Sequence, residues 1–244
     1  MSRFQIPLVP GLTSTIHVAQ GTEMDFHCNA LEAESAQSGC GVRVLESLSG
    51  LAKHLARASA EGERVRACVV LCLGSGFRSD EEERRFLASR EEQEGLTAWV
   101  RDGGIIFFHG ERHVTKVFAW FERPWCFSGD SYRRVEHQRG AEFGYVAPAY
   151  CVKACMLSKV DPSERVYYAG EGKTSQSMVP GFGAPVNASM CALALAPFGK
   201  GAVGFFGDVN AEKATFRTVL QLISEKLRSV DGGGGGASGS PLLG

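Results

Sequence analysis

The chain lacks most of the features that settle a protein's class at first sight. No apolar run approaches the ~20 residues needed to cross a bilayer. Met1 to Pro10 holds no continuous apolar core of a secretory signal, so the expectation is a cytoplasmic protein with no membrane partner. Charge of one sign is also scarce: 26 Lys and Arg stand against 27 Asp and Glu, a net charge of -1. With the two signs interspersed, nothing steers a polyanion, and nucleic acid is not an expected partner. Eight cysteines (Cys28, Cys40, Cys68, Cys72, Cys126, Cys151, Cys155 and Cys191) include no C-x-x-C pair. That excludes a zinc knuckle and a thioredoxin-type motif. Several lie inside apolar runs, where a reduced thiol behaves as a small hydrophobe. No internal repeat is present.

What is present is globular composition. With 44% apolar residues over 244 positions, one core can bury roughly 70–75% of the unfolded surface without metal or disulfide staples. Residues 1–13 read as an irregular lead-in, 14–230 as one domain, and 231–244 as a flexible Gly/Ser-rich tail. Ser14–Ala19 and Gly41–Glu46 are short β-branched runs that read as strands, with a loop or short helix between them. Leu48, Leu51, Leu55 and Ala56 have helical spacing, closed by Gly62. Arg66–Leu73 is apolar almost without alternation, as suits a parallel strand covered on both faces. A helix starting at Ser79 or Asp80, with Glu81, Glu82 and Glu83 in its first turn, runs to Gly103-Gly104.

The apolar run Ile105-Ile106-Phe107-Phe108 then ends at His109-Gly110-Glu111-Arg112-His113, and a helix carrying Val114, Val117, Phe118 and Phe121 follows. Strand–helix alternation of this kind predicts a parallel, doubly wound sheet with chemistry at the carboxyl ends of its strands. Residues 122–163 are aromatic and polar and read as an insertion with one or two short strands. Arg165–Tyr168 reads as a strand, residues 170–189 as a loop, Met190–Ala196 and Ala202–Phe206 as a hairpin, and the stripe Phe216, Val219, Leu220, Ile223 as the last helix.

Each chemical motif has a plainer alternative. Gly74-Ser75-Gly76 is a partial phosphate-binding turn, but Ser79 replaces the third Gly and four carboxylates follow. His109 and His113 are four apart with Glu111 between, yet Gly110 breaks the helix that would bring both imidazoles to one metal, so no metal is expected. Cys72 ends a strand beside the expected position of His109, where a base could lower a thiol pKa, or it is a buried structural thiol. Tyr132-Arg133-Arg134 with Glu136-His137 could receive an anionic group or form a solvated edge. Asp208 and Asn210, in Gly207-Asp208-Val209-Asn210, could bind a substrate or cap the last helix.

Taken together, Trp99–Gly110 and Phe198–Asn210 resemble the class I glutamine amidotransferase-like superfamily, near its trehalose-utilisation-protein-like branch. Phe121-Glu122-Arg123-Pro124-Trp125 and Lys153-Ala154-Cys155-Met156-Leu157 bring the likeness closer to fungal and protist members; it spans about residues 60–228. The resemblance implies an α/β, flavodoxin-like three-layer α/β/α sandwich with a mostly parallel sheet and an aromatic-rich insertion. It also implies the loss of glutaminase chemistry. His109 stands where the superfamily's nucleophilic Cys belongs, and Asp208-Val209-Asn210 replaces its His-x-Glu pair, so the Cys-His-Glu relay is missing. The resulting expectation is a small-molecule hydrolase with a His-centred cleft: His109 as acid/base, Glu111 orienting it, Asp208 catalytic, and Cys72, Gly110, Asn210 and Arg133 binding substrate. The alternative is a non-catalytic, pseudoenzyme relative that binds a ligand or partner in the same cleft. The expected partners are a small-molecule ligand and a second copy of the chain; no cofactor is expected.

Overall fold

The computed structural model describes residues 15–19, 25–37, 41–45, 48–61, 65–70, 80–110, 114–128, 133–176 and 183–232. In chain order the elements are β1 (Thr15–Ala19), α1 (Asp25–Gln37), β2 (Gly41–Leu45), α2 (Leu48–Ala60), β3 (Ala67–Val70), α3 (Asp80–Ala88), α4 (Arg90–Arg101), β4 (Ile105–His109), α5 (Val114–Trp120), β5 (Cys126–Phe127), β6 (Arg133–Arg139), β7 (Ala149–Ala154), β8 (Leu157–Ser158), β9 (Arg165–Tyr168), β10 (Cys191–Phe198), β11 (Gly201–Phe206) and α6 (Lys213–Gly232). The sheet is open, in the order β2-β1-β3-β4-β11-β10-β9-β6-β7, with β5 and β8 paired to each other beside β10.

β4 is its centre. All five of its residues are buried, and the period-2 alternation of a strand divides them between two cores. Ile106 and Phe108 face a core built from α2 through α5, with Leu51, Leu96, Val100, Phe118 and Phe121. Ile105 and Phe107 face the other, formed by Leu31 of α1 and by Phe216, Val219 and Ile223 of α6. The unbroken apolar run of β4 is the signature of a strand covered on both faces.

The stop before β4 is legible in the sequence. Gly103 adopts φ 118°, and Gly104 N–H donates to the Trp99 carbonyl while Gly103 N–H donates to that of Val100. This double bond pattern is a Schellman-type helix end, which asks for a residue free to adopt positive φ. The single long helix expected before it is two helices. Ser89 sits extended between them and its hydroxyl accepts from Glu92 N–H, capping α4.

The expectation of a mostly parallel, flavodoxin-like sheet is corrected. β2, β1, β3, β4 and β11 run parallel, but β10, β9, β6 and β7 continue the sheet with antiparallel pairings. The sheet is mixed. The difference arises in the segment taken for an insertion, because β6 and β7 are full members of the sheet. Arg133–Arg139 contains a single aliphatic residue, Val135, so its strand character rests on pairing with β7 and β9 and leaves little trace in hydropathy. The hairpin expectation matches: β10 and β11 pair from Leu193–Phe206 to Phe198–Gly201. The lead-in (1–13), the turn at Gly74-Ser75-Gly76, Cys72, Glu111, His113 and the Gly-rich tail beyond Gly232 lie outside the described residues.

The antiparallel half curls back on the parallel half. From the end of β7, Ala154 bridges to Asp208, just past β11. Cys155 N–H donates to the Gly207 carbonyl at 2.7 Å, and Val209 N–H to that of Lys153 at 3.0 Å. A Cβ on Gly207 would fall on the Cys155 carbonyl oxygen, so this approach requires glycine. A third cluster, including Val135, Val152, Ala154, Met156 and Ala192, fills the curl.

Candidate functional site

His109 and Asp208 end the adjacent parallel strands β4 and β11, and the register pairs His109 with Phe206. Both are buried, at 4% and 1% exposure. The His109 ring leans on that of Phe206 at 5.0 Å between centroids. Its Nε2 lies 2.6 Å from the main-chain oxygen of Asp208. A carbonyl oxygen can only accept, so Nε2 carries the proton and the neutral ring's acceptor is Nδ1.

The Asp208 carboxylate turns toward α6. One oxygen accepts from Asn210 N–H at 2.8 Å. The other accepts from Glu212 N–H at 2.6 Å and from the Thr215 hydroxyl at 2.7 Å. Two of these donors are main-chain N–H groups of the turn before α6 and the third is a hydroxyl of its first turn, so the carboxylate fixes the entry to the helix and sits near the positive end of its dipole. Ala211, at φ 53°, makes the turn that brings these donors inward.

The neighbouring polar groups come from β6, β7 and β9. Arg134 donates to the Glu212 carboxylate at 2.6 Å, so a strand of the antiparallel half is tied to the start of α6. The ring of Tyr150, on β7, packs against that of Tyr167 at 4.3 Å. Burial holds the Tyr150 phenol well above its ordinary pKa, opposed by a hydrogen bond with Thr215 and reinforced by the charge of Asp208. Glu136 pairs with Lys173, which lowers its pKa through the hydrogen bond and the Lys173 charge.

The structure thus brings together His109, Gly110 (buried, φ 112°), Asp208 and Asn210. Arg133 lies on β6, in register with Ala154 of β7, and donates to the Pro185 carbonyl at 3.2 Å. The Asn210 side chain is exposed, and its contact with the pair is made by its main chain. Sequence reasoning missed Tyr150, Thr215 and Glu212. Only the helix-start position of Glu212 hinted at a role, because the pairing of β7 with β6 is what delivers Tyr150 here.

Among the described cysteines, Cys155 and Cys191 are buried and Cys126 and Cys151 half-buried. Burial pushes the Cys191 thiol up to about 12, which makes it a poor nucleophile. Among the described residues no group of three or more His, Cys, Asp or Glu side chains is arranged to hold a metal, and no helix is long and apolar enough to cross a membrane. A cavity of about 690 Å³ opens between α2 and α4, lined by Leu55, Val65, Leu96, Trp99 and Gly104 among others. It lies at the amino end of β4, away from His109.

No protein-family model matches the chain, and no curated protein matches it. Solved structures do. A β-galactosidase from Bacillus circulans sp. alkalophilus aligns with a TM-score of 0.53 at 8% identity, over 88% of this chain and 31% of its own. A cold-adapted β-galactosidase from Rahnella aligns at 0.50 and 12% identity, over 88% and 31%. A cytoplasmic protein from Salmonella typhimurium aligns at 0.50 and 12% identity, over 86% of this chain and 99% of its own. The chain therefore spans about a third of the length of the β-galactosidases it matches.

These findings overturn the resemblance to the class I glutamine amidotransferase-like superfamily, and with it the reading of the chain as a member of that superfamily that has lost its triad. The physical reason is visible in the motifs. Trp99–Gly110 encodes a helix, a Schellman-type end and a buried strand, which is a local arrangement open to any α/β sheet.

Proposed function

We propose that the chain is a non-catalytic accessory domain, of the kind that occupies part of a longer carbohydrate-processing enzyme, and that its place is the cytoplasm. One observation carries the reading. The Asp208 carboxylate takes three donors at the entry to α6, and His109 Nε2 donates to the Asp208 main chain, so the carboxylate and one ring nitrogen serve the fold. A general acid or base needs a proton-transferring atom within reach of substrate, whereas both residues are buried, at 4% and 1% exposure. In this reading His109 and Asp208 join β4, β11 and α6, and Asn210 and Gly110 complete the turns around them. The carbohydrate context rests on the likeness to segments of two β-galactosidases, and the cytoplasmic one on the description of the Salmonella protein.

The test is an activity panel of nitrophenyl glycosides and esters, run on the protein and on His109→Ala, with titration calorimetry against β-galactosides. The expected outcome is no turnover above the variant in any assay. Turnover that His109→Ala abolishes would overturn the non-catalytic reading. Failure of every galactoside to bind would remove the carbohydrate context and leave the accessory role standing.

A further inference from the structure

His137 is a buried group that neither the fold nor the proposed function explains. It lies on the inner face of β6 at 0% exposure; neither ring nitrogen makes a hydrogen bond of ordinary length and angle, and the polar group that interacts with the ring is the main chain of Val135. The register sets it opposite Tyr150 of β7, with ring centroids 6.3 Å apart.

Among the described residues, no carboxylate faces the ring to pair with a positive charge. From β7 the facing titratable group is Tyr150, a phenol that burial keeps protonated. From β9 it is Tyr167, behind Tyr150 and likewise pushed up by burial. Along β6, strand alternation puts Arg133 and Arg139, both cations, on the same face, and Glu136 on the other, bound to Lys173. The segment after β9 contributes Val186 and Met190 to the same core. The nearest carboxylates at the start of α6 are engaged, Glu212 with Arg134 and Asp208 with its three donors.

We propose that the β6–β7 ribbon is an acid-sensitive cover over Asp208 at the end of β11, with His137 as its trigger. A second proton gives the imidazole two N–H donors and no acceptor, and a buried unpaired charge is expelled. The cheapest way out is to lift the ribbon. β7 is the last strand of the sheet, held by β6 on one side and by a few bonds to Gly207–Val209 at its end, so it can open without the parallel half unfolding. Lifting it breaks the contacts at Gly207 and Val209 and uncovers Asp208. Burial depresses the His137 pKa to about 4, partly offset by the Val135 main chain, which is the behaviour such a trigger needs.

The test is amide hydrogen exchange from pH 7 to 4.5, corrected for intrinsic rates, on the protein and on His137→Phe, together with an NMR titration of the His137 ring. Protection of 149–155 and 207–209 should fall by about tenfold per pH unit below pH 6.5, while β4 holds its protection. His137→Phe should abolish that fall. An equal fall in the variant, no fall in the protein itself, or simultaneous loss in β4 would overturn the proposal. If His137→Phe does not fold, the ring titration decides: a midpoint near 6.5 means that the buried trigger does not exist, and one well below it supports the proposal.

Discussion

The Nε2 of His109 lies 2.6 Å from the main-chain oxygen of Asp208, while the Asp208 carboxylate faces the other way into the start of α6. Two residues that a sequence reader places across a cleft are therefore joined through the backbone, and the acid's charge is spent on a helix. The consequence concerns stability before it concerns catalysis.

Asp208→Ala leaves two main-chain N–H groups and one hydroxyl without their acceptor. Orphaned buried donors cost about 1–3 kcal/mol each, and partial access of water at Asn210 reduces the sum, so a loss of about 2–4 kcal/mol is expected. Asp208→Asn keeps an acceptor and should lose about half of that. Urea unfolding of the two variants checks the order; equal losses would show that the charge of the carboxylate, and not an acceptor alone, is what these donors need.

Gly207→Ala drives a methyl group into the Cys155 carbonyl. The end of β7 must move, at about 1–3 kcal/mol for a clash of this kind. The loss should appear as faster amide exchange at Cys155 and Val209, whose N–H groups serve this junction, while exchange in β4 stays unchanged.

Glu164 is a buried carboxylate, at 7% exposure. It accepts from the indole N–H of Trp125 at 2.9 Å and pairs with Arg123 at 3.2 Å. Glu164→Ala strips two donors at once, with an expected loss of about 3–5 kcal/mol, as for one member of a buried pair. Glu164→Gln keeps an acceptor for Trp125 and should lose clearly less. The readout is the thermal midpoint and the Trp125 fluorescence.

His137 makes stability depend on pH. Its ordinary pKa of 6.5 falls to about 4 in the fold, so the unfolded chain binds the proton more readily. The neutral ring contributes nothing to the pH dependence above 6.5, and stability declines as pH drops from 6.5 toward 4. The full decline is about 3 kcal/mol, from 1.36 kcal/mol per pKa unit. Urea midpoints at pH 7.5, 6 and 4.5 should fall in that order, and His137→Phe should flatten the trend.

Much of the central architecture was readable from residues. The run Ile105–Phe108 announces a strand covered on both faces, Gly103-Gly104 announces the helix end before it, and the breaks at Pro197–Gly201 mark the β10–β11 hairpin. Such signals are local, carried by hydropathy and by backbone freedom at glycine. The polarity of the sheet was not readable, because β6 is a strand by virtue of its partners. Its charged side chains are spent one at a time on Pro185, Glu212 and Lys173.

The same division runs through the candidate site. The sequence alone determined that His109 and Asp208 each close an apolar run beside a glycine, at the same expected edge of the sheet; that the two strands are neighbours came from the pairing of β4 with β11. Tertiary structure decided what they do there. The direction of the Asp208 carboxylate depends on where α6 begins, and its packing depends on a ribbon that returns to Gly207 from more than 50 residues earlier in the chain. Long-range pairing of this sort is set by packing and by the hydrogen bonds of edge strands, which no local pattern of residue types encodes.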